Sequence, residues 1–203
     1  MARNIKRLVI AAVSVAVIGG IAASTMAMQA TDTDKEPLQV QLKDVNGNSA
    51  GWVSINLAKN GKTRITGRVW KLSPGYHGFH IHSVGICDPK SVDPATGKVT
   101  PFFSAGPHAD VGGHLHGEHT GDLPTLLAGE DGSAEAASFT DRFHPEDLRD
   151  ADGSAVIVHV ARDNYAHIPP RYTGPGGKAG PDEATNKTGD AGDRIVCGVI
   201  PRR

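Results

Sequence analysis

Residues 78–82 read Gly-Phe-His-Ile-His, and the interpretation of the whole chain starts from this short stretch. Successive side chains of a β-strand point to opposite faces, so a strand here places His80 and His82 on one side and Phe79 and Ile81 on the other. One face then offers two imidazoles to a single metal ion. The pattern His-x-His is too short to specify a metal site by itself, and two unrelated surface histidines are the alternative at this point.

The composition favours a turn-rich β protein. The chain has 203 residues, with 25 glycines, 13 prolines and 5% aromatic residues, a length that suits one domain with a sizeable core. Its ten histidines are the compositional outlier, and its net charge of -1 gives no sign of a nucleic-acid partner. We therefore expect a single β domain that does not bind nucleic acid.

The N-terminal part has the layout of a secretory signal. Three basic residues, Arg3, Lys6 and Arg7, precede an uncharged stretch over residues 8–28. Since roughly 20 apolar residues are also enough to span a bilayer, residues 1–29 are predicted to be either a signal peptide or an N-terminal membrane anchor. Residues 30–37 are polar and predicted to be a flexible linker. The expected location is therefore outside the cytoplasm: the periplasm, the cell envelope or the extracellular space.

The remaining residues, 38–201, carry the pattern of a sandwich or barrel of short strands. Apolar residues alternate with polar ones from Leu38 to Leu42, and turns at 46–48 and 59–62 separate this strand from the next two. Further strands are predicted at 133–139, 155–160 and 195–200. Residues 163–192 are rich in Gly, Pro, Asp and Lys, and are predicted to be a long loop.

A second histidine-rich stretch follows the first. It is too polar and glycine-rich for a helix or a buried strand, which suggests a loop folded around a metal, although a solvated loop is the alternative. Imidazoles and carboxylates are ligands that zinc accepts. Its candidate ligands are His108, His114, His116, His119 and Asp122. His159 lies within the most apolar strand, where a buried imidazole without a partner is costly and a ligand role removes that cost.

The chain has two cysteines, Cys87 and Cys197, which lie far apart in the sequence. In an oxidising compartment they are expected to form a disulfide bond, while two buried free thiols are the alternative.

Five motifs now match one family in order: GFHIH (78–82), SAGPH (104–108), HTGDL (119–123), VHV (158–160) and GDAGDRIVCGVI (189–200). On these motifs the chain resembles copper/zinc superoxide dismutase in its bacterial exported form. The resemblance implies an all-β fold, an eight-stranded antiparallel Greek-key β-barrel with long metal-binding and electrostatic loops. It also implies conversion of two superoxide anions into dioxygen and hydrogen peroxide by a histidine-bound copper, with zinc supporting a bridging histidine.

The resemblance also implies the ligands of both metals. The implied copper ligands are His80, His82, His108 and His159. The implied zinc ligands are His108, His116, His119 and Asp122. His116 is preferred to His114 as the third zinc histidine, because Gly117 follows it as in the family. The loop from His108 to His119 is shorter than usual, and copper-only members of the family are the alternative to a zinc site.

Other roles follow from the same resemblance. Arg194 matches the active-site arginine, and His108 is expected to supply a proton to the second superoxide. Asp163 matches a carboxylate that links a copper histidine to a zinc histidine. Lys187 matches a lysine that steers superoxide to the site, while Asp190 and Asp193 dilute its field.

The cysteines Cys87 and Cys197 match the family disulfide, and both monomers and homodimers occur among bacterial members. A competing hypothesis is a copper-delivery protein on the same barrel, but the copper histidines and Arg194 are all present. A structural zinc-loop domain explains neither His80 and His82 nor His159.

Overall fold

The computed structural model describes residues 36–174 and 176–202, and this part of the chain forms nine strand segments. They are β1 (Leu38–Asp44), β2 (Ser49–Leu57), β3 (Thr63–Val69), β4 (Gly75–His77), β5 (Phe79–His82), β6 (Leu126–Ala128), β7 (Ala134–Thr140), β8 (Ala155–His159) and β9 (Arg194–Val199). The predicted signal or anchor and all but the end of the predicted linker lie outside the described residues. Within the described ranges no helix has the length and apolar character needed to cross a membrane.

Binary patterning explains why the first strands form. In β1 the side chains of Leu38, Val40 and Leu42 are buried while their neighbours face outward, the period of a half-buried strand. The turn into β2 is built on the Asp44 carboxylate, which accepts hydrogen bonds from two backbone N–H groups, and on Gly47 at a φ of 80°. The predicted hairpin is confirmed.

The strands form a seven-stranded antiparallel sheet in the order β5-β8-β9-β1-β2-β3-β7 and a two-stranded sheet of β4 and β6. The small sheet links the two edges of the large one, because β4 directly precedes the edge strand β5 and β6 leads through a tight turn into the edge strand β7. Pairings such as β3 with β7 and β1 with β9 join strands distant in sequence, as in a Greek key. The all-β antiparallel fold class is confirmed.

Two apolar clusters lie on the two sides of β8, which explains why every residue of that strand is buried. Val156 and Val158 contribute to the main core, together with Phe79 and Ile81 of β5. Ala155 and Ile157 face a smaller cluster that contains Phe102 and Cys197. A loop therefore covers the outer face of this part of the sheet.

The covering loop is tied down by a disulfide bond between Cys87 and Cys197, whose Cα atoms lie 5.8 Å apart. Cys197 is in β9, so the bond joins the loop after β5 to an interior strand of the large sheet. The predicted disulfide is confirmed.

Two details differ from the sequence-based expectation. The described residues form nine strand segments where we expected eight strands, because β4 and β5 are separate segments with only Gly78 between them. The N–H of Gly78 donates to the carbonyl of Ala161, and a side chain at this position would collide with Ala191. The long loop at 163–192 also contains a short helix, α1 (Glu183–Thr188), which we did not predict because the segment is rich in glycine. Asp182 caps its N-terminus, and Gly189 ends it at a φ of 59°.

Candidate metal centre

Four buried histidines converge beside β5. His80 and His82 lie on this strand, and His159 is the last residue of β8, which pairs with it. His108 arrives from a loop through an isolated bridge with His82. One ring nitrogen from each of the four lies within 4.8 Å of the others. The structure therefore brings together all the residues predicted to bind copper.

Hydrogen bonds leave one nitrogen of each of three rings without a partner. The Nδ1–H of His82 donates to Gly106 O at 2.9 Å, and that of His159 donates to Gly192 O at 2.8 Å. Their buried Nε2 atoms have no partner, and neither does Nδ1 of His80. A buried nitrogen lone pair without a partner is costly, and a metal ion removes that cost. Converging imidazole nitrogens are the donor set that copper(II) prefers, so the residues fit this metal.

A second group lies on the other side of His108. Donor atoms of His80, His108, His116 and Asp122 also lie within 4.8 Å of one another, and Asp122 Oδ1 lies 2.9 Å from His108 Nδ1 and 3.3 Å from His116 Nδ1. The Nε2–H of His80 donates to the carboxylate of Asp163. His80 is therefore close to this group but is hydrogen-bonded to a residue outside it. Imidazoles with one carboxylate oxygen are ligands that suit zinc.

His119, which we predicted as a zinc ligand, stands at the edge of this group. Its Nδ1 is buried, has no hydrogen-bond partner and lies 3.4 Å from Asp122 Oδ2. Its ring centroid lies 5.5 Å from that of His108 and 5.4 Å from that of His116. His119 therefore lies beside the group but outside the set of donor atoms that all lie within 4.8 Å of one another, and its role as a zinc ligand stays a prediction.

His116 and His114 have different environments. His116 has a fully buried side chain beside Asp122, and its Nδ1 has no hydrogen-bond partner. His114 has a side chain that is 48% exposed, and its Nδ1 lies 2.7 Å from Asp110 Oδ1. The structure brings His116, and not His114, into the cluster. Burial by itself lowers the pKa of His116, but the carboxylates of Asp122 and Asp163 outweigh burial and raise it to about 9.

Asp163 lies between the two groups. Its carboxylate accepts a hydrogen bond from His80 Nε2 at 2.6 Å and another from His116 Nε2 at 2.7 Å. The backbone N–H of Tyr165 donates to the same carboxylate at 2.7 Å. Both histidines are thereby held with Nδ1 available to a metal, which is the linking geometry expected of Asp163.

Burial keeps three other histidines neutral, and hydrogen bonds keep the two carboxyls ionised. It lowers the pKa of His82 well below the usual value, that of His108 to about 4 and that of His159 to about 3. Burial alone raises the pKa of Asp122 and Asp163, but hydrogen bonds from neighbouring histidines hold both carboxyls well below their usual range. Neutral imidazoles and ionised carboxylates are the protonation states in which these groups bind metals.

Arg194 lies at the wall of a cavity of about 820 Å³ that His108 and His159 also line. Its Nη1 donates to Phe102 O at 2.6 Å and its Nη2 donates to Gly106 O at 2.7 Å. Burial lowers the pKa of Arg194 only to about 10, so the guanidinium stays charged at neutral pH. The cavity therefore presents a fixed positive charge beside the histidine cluster.

Lys187 lines the same cavity and forms an ion pair with a nearby carboxylate. Its Nζ lies 2.6 Å from Glu183 Oε1, one turn earlier on α1. Asp193 also lines the cavity, whereas Asp190 accepts hydrogen bonds from Asn164 and Thr185. The carboxylate nearest to Lys187 is thus Glu183, which our sequence analysis did not single out.

Sequence reasoning also missed two residues that contact the second group from outside. Arg142 donates to the backbone carbonyls of Gly117 and His119, and the Tyr165 ring stacks on His116 with centroids 6.3 Å apart. Neither residue belongs to a motif, and Arg142 follows β7 in the chain. The spacing of the histidines carries no signal for either of them.

Comparisons with known proteins point to one family. The family model described as copper/zinc superoxide dismutase (SODC) matches residues 49–200. A superoxide dismutase [Cu-Zn] of Mycobacterium tuberculosis is 46% identical over 151 residues, which are 74% of this chain and 60% of that protein. One from Brucella abortus is 33% identical over 188 residues, covering 88% of this chain and 96% of that protein. The match thus spans about three fifths of the length of the mycobacterial relative.

Solved structures show the same fold. The Cu/Zn superoxide dismutase from Brucella abortus superposes with a TM-score of 0.62 at 29% identity, over 82% of this chain and all of that one. A SOD-like protein from Bacillus subtilis superposes with a TM-score of 0.60 at 28% identity, over 80% of this chain and 97% of that one.

Proposed function

Because the chain belongs to the copper/zinc superoxide dismutase family, we propose that it converts two superoxide anions and two protons into dioxygen and hydrogen peroxide. The observation that carries this proposal is the group of four buried imidazoles, three of them with an unpartnered nitrogen, beside the charged guanidinium of Arg194. A site with only a structural role needs no such cation in an open cavity.

We assign copper to His80, His82, His108 and His159, and zinc to His108, His116, His119 and Asp122. When bound, copper supplies a one-electron acceptor and donor, and zinc supplies a fixed positive charge. His108 belongs to both sets, with its Nδ1 on the side of Asp122. Asp163 accepts hydrogen bonds from both His80 and His116, which supports a copper site and a zinc site held at a fixed distance from each other.

The chain's own residues bind and orient the substrate. Arg194 donates hydrogen bonds from Nη1 and Nη2 to two backbone carbonyls. Because a guanidinium has further N–H groups, it can also donate to a bound anion. Because these hydrogen bonds already fix the guanidinium, its position does not have to change when superoxide binds. His108 Nε2 is the ring atom turned away from Asp122, and we assign it the proton that goes to the peroxide product.

Export is part of the proposal. A disulfide such as Cys87–Cys197 persists in oxidising compartments and is rare in the cytosol, which supports a location in the periplasm, the cell envelope or outside the cell. Cleavage of residues 1–29, anchoring through residues 8–28 and homodimer formation stay predictions.

The deciding experiment measures metal content and superoxide consumption of the purified chain together, with copper and zinc added separately and jointly. We expect one copper and one zinc per chain, and turnover that requires copper. Copper and turnover without zinc would remove the zinc assignment and place the chain with the copper-only members. Copper binding without turnover would overturn the dismutase proposal in favour of copper delivery.

A further inference from the structure

The turn at residues 117–119 is held from one side by a carboxylate. Asp122 Oδ2 accepts hydrogen bonds from the backbone N–H groups of Gly117, at 2.7 Å, and His119, at 3.1 Å. These bonds occupy Oδ2, while Oδ1 faces the ring nitrogens of His108 and His116. The turn therefore decides which oxygen of Asp122 points to the predicted zinc site.

The same two residues are held from the other side by a cation. Arg142 Nη1 donates to the carbonyl of His119 and Nη2 donates to the carbonyl of Gly117, both at 3.0 Å. The neighbouring Asp141 pairs with Lys62 at 2.9 Å, so it does not take the Arg142 guanidinium away from the turn. The N–H and the carbonyl of one residue belong to different peptide groups, so Asp122 and Arg142 together hold four successive peptide groups of this turn by hydrogen bonds to charged side chains.

The other half of the loop is held independently of Arg142. The backbone N–H of His116 donates to Asn186 O at 2.8 Å, and the His116 side chain is held by Asp163 and Tyr165. In the described part of the chain the Arg142 side chain donates hydrogen bonds to the carbonyls of Gly117 and His119, and none to these groups. Its hydrogen bonds therefore act directly on the segment that carries His119 and Asp122.

We propose that Arg142 is a positioning residue for the zinc site: through the carbonyls of Gly117 and His119 it presets the turn that presents His119 and Asp122 to the metal. This inference rests on the zinc site assigned under the proposed function, but not on dismutase activity. It also offers a physical reason why a loop this short holds its ligands in place, since a residue outside the loop supplies the support.

The test follows zinc release from the full chain to an excess of chelator, for the wild type and for Arg142→Ala and Arg142→Lys. Outer contacts of this kind typically change metal affinity by roughly 10- to 100-fold, so we expect Arg142→Ala to speed zinc release by about that factor. Arg142→Lys should lie between, because an ammonium reaches one carbonyl but lacks the two-pronged guanidinium. Arg149→Ala is the matched control, since Arg149 donates to the carbonyl of Arg202 instead.

A spectroscopic readout separates positioning from a general loss of stability. Cobalt(II) placed in the zinc site should show an altered visible spectrum in Arg142→Ala, whereas the electron paramagnetic resonance spectrum of copper(II) should match the wild type. A purely structural role predicts a lower melting temperature with an unchanged cobalt spectrum, and that result would overturn the proposal.

The cavity beside Arg142 permits chemical rescue. It has a volume of about 360 Å³ and is lined by Gly117, Asp122 and Tyr165 among others. Millimolar guanidinium chloride should slow zinc release from Arg142→Ala and leave the wild type unchanged, while equal sodium chloride should do neither. Equal release rates in wild type and Arg142→Ala refute the proposal. A wild type that binds no zinc refutes it together with the zinc site, whereas zinc binding without turnover refutes only the proposed activity.

Discussion

A single backbone carbonyl, that of Gly106, contacts both a predicted copper ligand and the residue that we predict to bind superoxide. Gly106 O accepts hydrogen bonds from Nδ1 of His82 and from Nη2 of Arg194. Gly106 has a φ of 74°, and a Cβ there would lie 2.8 Å from Ser83 Oγ, so glycine is required by both the backbone conformation and the space. The ring that we assign to copper and the guanidinium that we assign to superoxide are thus oriented by one peptide group.

Removal of this guanidinium should separate the two functions. We expect Arg194→Ala to bind copper as the wild type does, since His82 keeps its own bond to Gly106 O, but to lose roughly 10- to 100-fold in rate because the anion loses its charge partner. Pulse radiolysis at several ionic strengths measures the rate and its salt dependence.

The exposed strand residue Arg64 provides the control for this experiment, because Arg64→Ala removes the same charge from a residue that does not line the cavity. A rate and a salt dependence that stay unchanged in Arg194→Ala would contradict the role of Arg194.

At the scale of elements, α1 brings a lysine to the mouth of the cavity. The six-residue helix places Glu183 and Lys187 one turn apart, and Lys187 lines the cavity that Arg194 also lines. Both members of the ion pair are exposed, with side chains that are 83% and 67% accessible, so the pair contributes little to stability. We expect the effect of this pair in the electrostatic field at the cavity, because Glu183 offsets the charge of Lys187 there.

Neutralising the glutamate should therefore increase capture of superoxide. We expect Glu183→Gln to raise the association rate by roughly twofold at low ionic strength and Lys187→Gln to lower it by a similar factor. Both effects should vanish at about 1 M salt, where the screening length falls to about 3 Å. Stopped-flow assays over a range of salt concentrations measure this. Identical rates for the two variants at low salt would show that this pair does not steer the substrate.

At the scale of the whole molecule, one covalent bond supports both the outer face of the sheet and the substrate site. Cys87–Cys197 spans 110 residues and fixes the loop that covers Ile157 and carries Phe102 and Gly106. The carbonyls of those last two residues anchor Arg194. Because constraint of the unfolded chain grows with the length of the closed loop, this bond should stabilise the fold considerably.

We expect the double variant Cys87→Ser/Cys197→Ser to lose about 2–5 kcal/mol of unfolding free energy. Denaturant unfolding of the metal-free proteins measures this without a contribution from metal release. Reductant should lower the midpoint of the wild type and leave that of the double variant unchanged. Equal midpoints for the oxidised wild type and the double variant would contradict a stabilising role.

Much of this molecule is predictable because its signals are local or periodic. The two-residue period of a strand places His80 and His82 together and Phe79 and Ile81 in the core, as the structure confirms. The five motifs identify the family, which the comparisons confirm, and the all-β fold and the disulfide are confirmed as well. The roles of individual ligands, the domain limits and Lys187 as a steering residue stay predictions.

The sequence by itself determined the residue types, the strand faces and the family, since each depends on neighbours in the chain. Only the tertiary structure decided that His116 is buried while His114 faces solvent, and which nitrogen of each ring is left without a hydrogen bond. It alone decided that Arg142 reaches carbonyls 23 and 25 residues before it. The physical reason is that burial and hydrogen-bond partners depend on how segments distant in the sequence pack together. The periodicity of apolar residues within one strand or helix does not encode that packing.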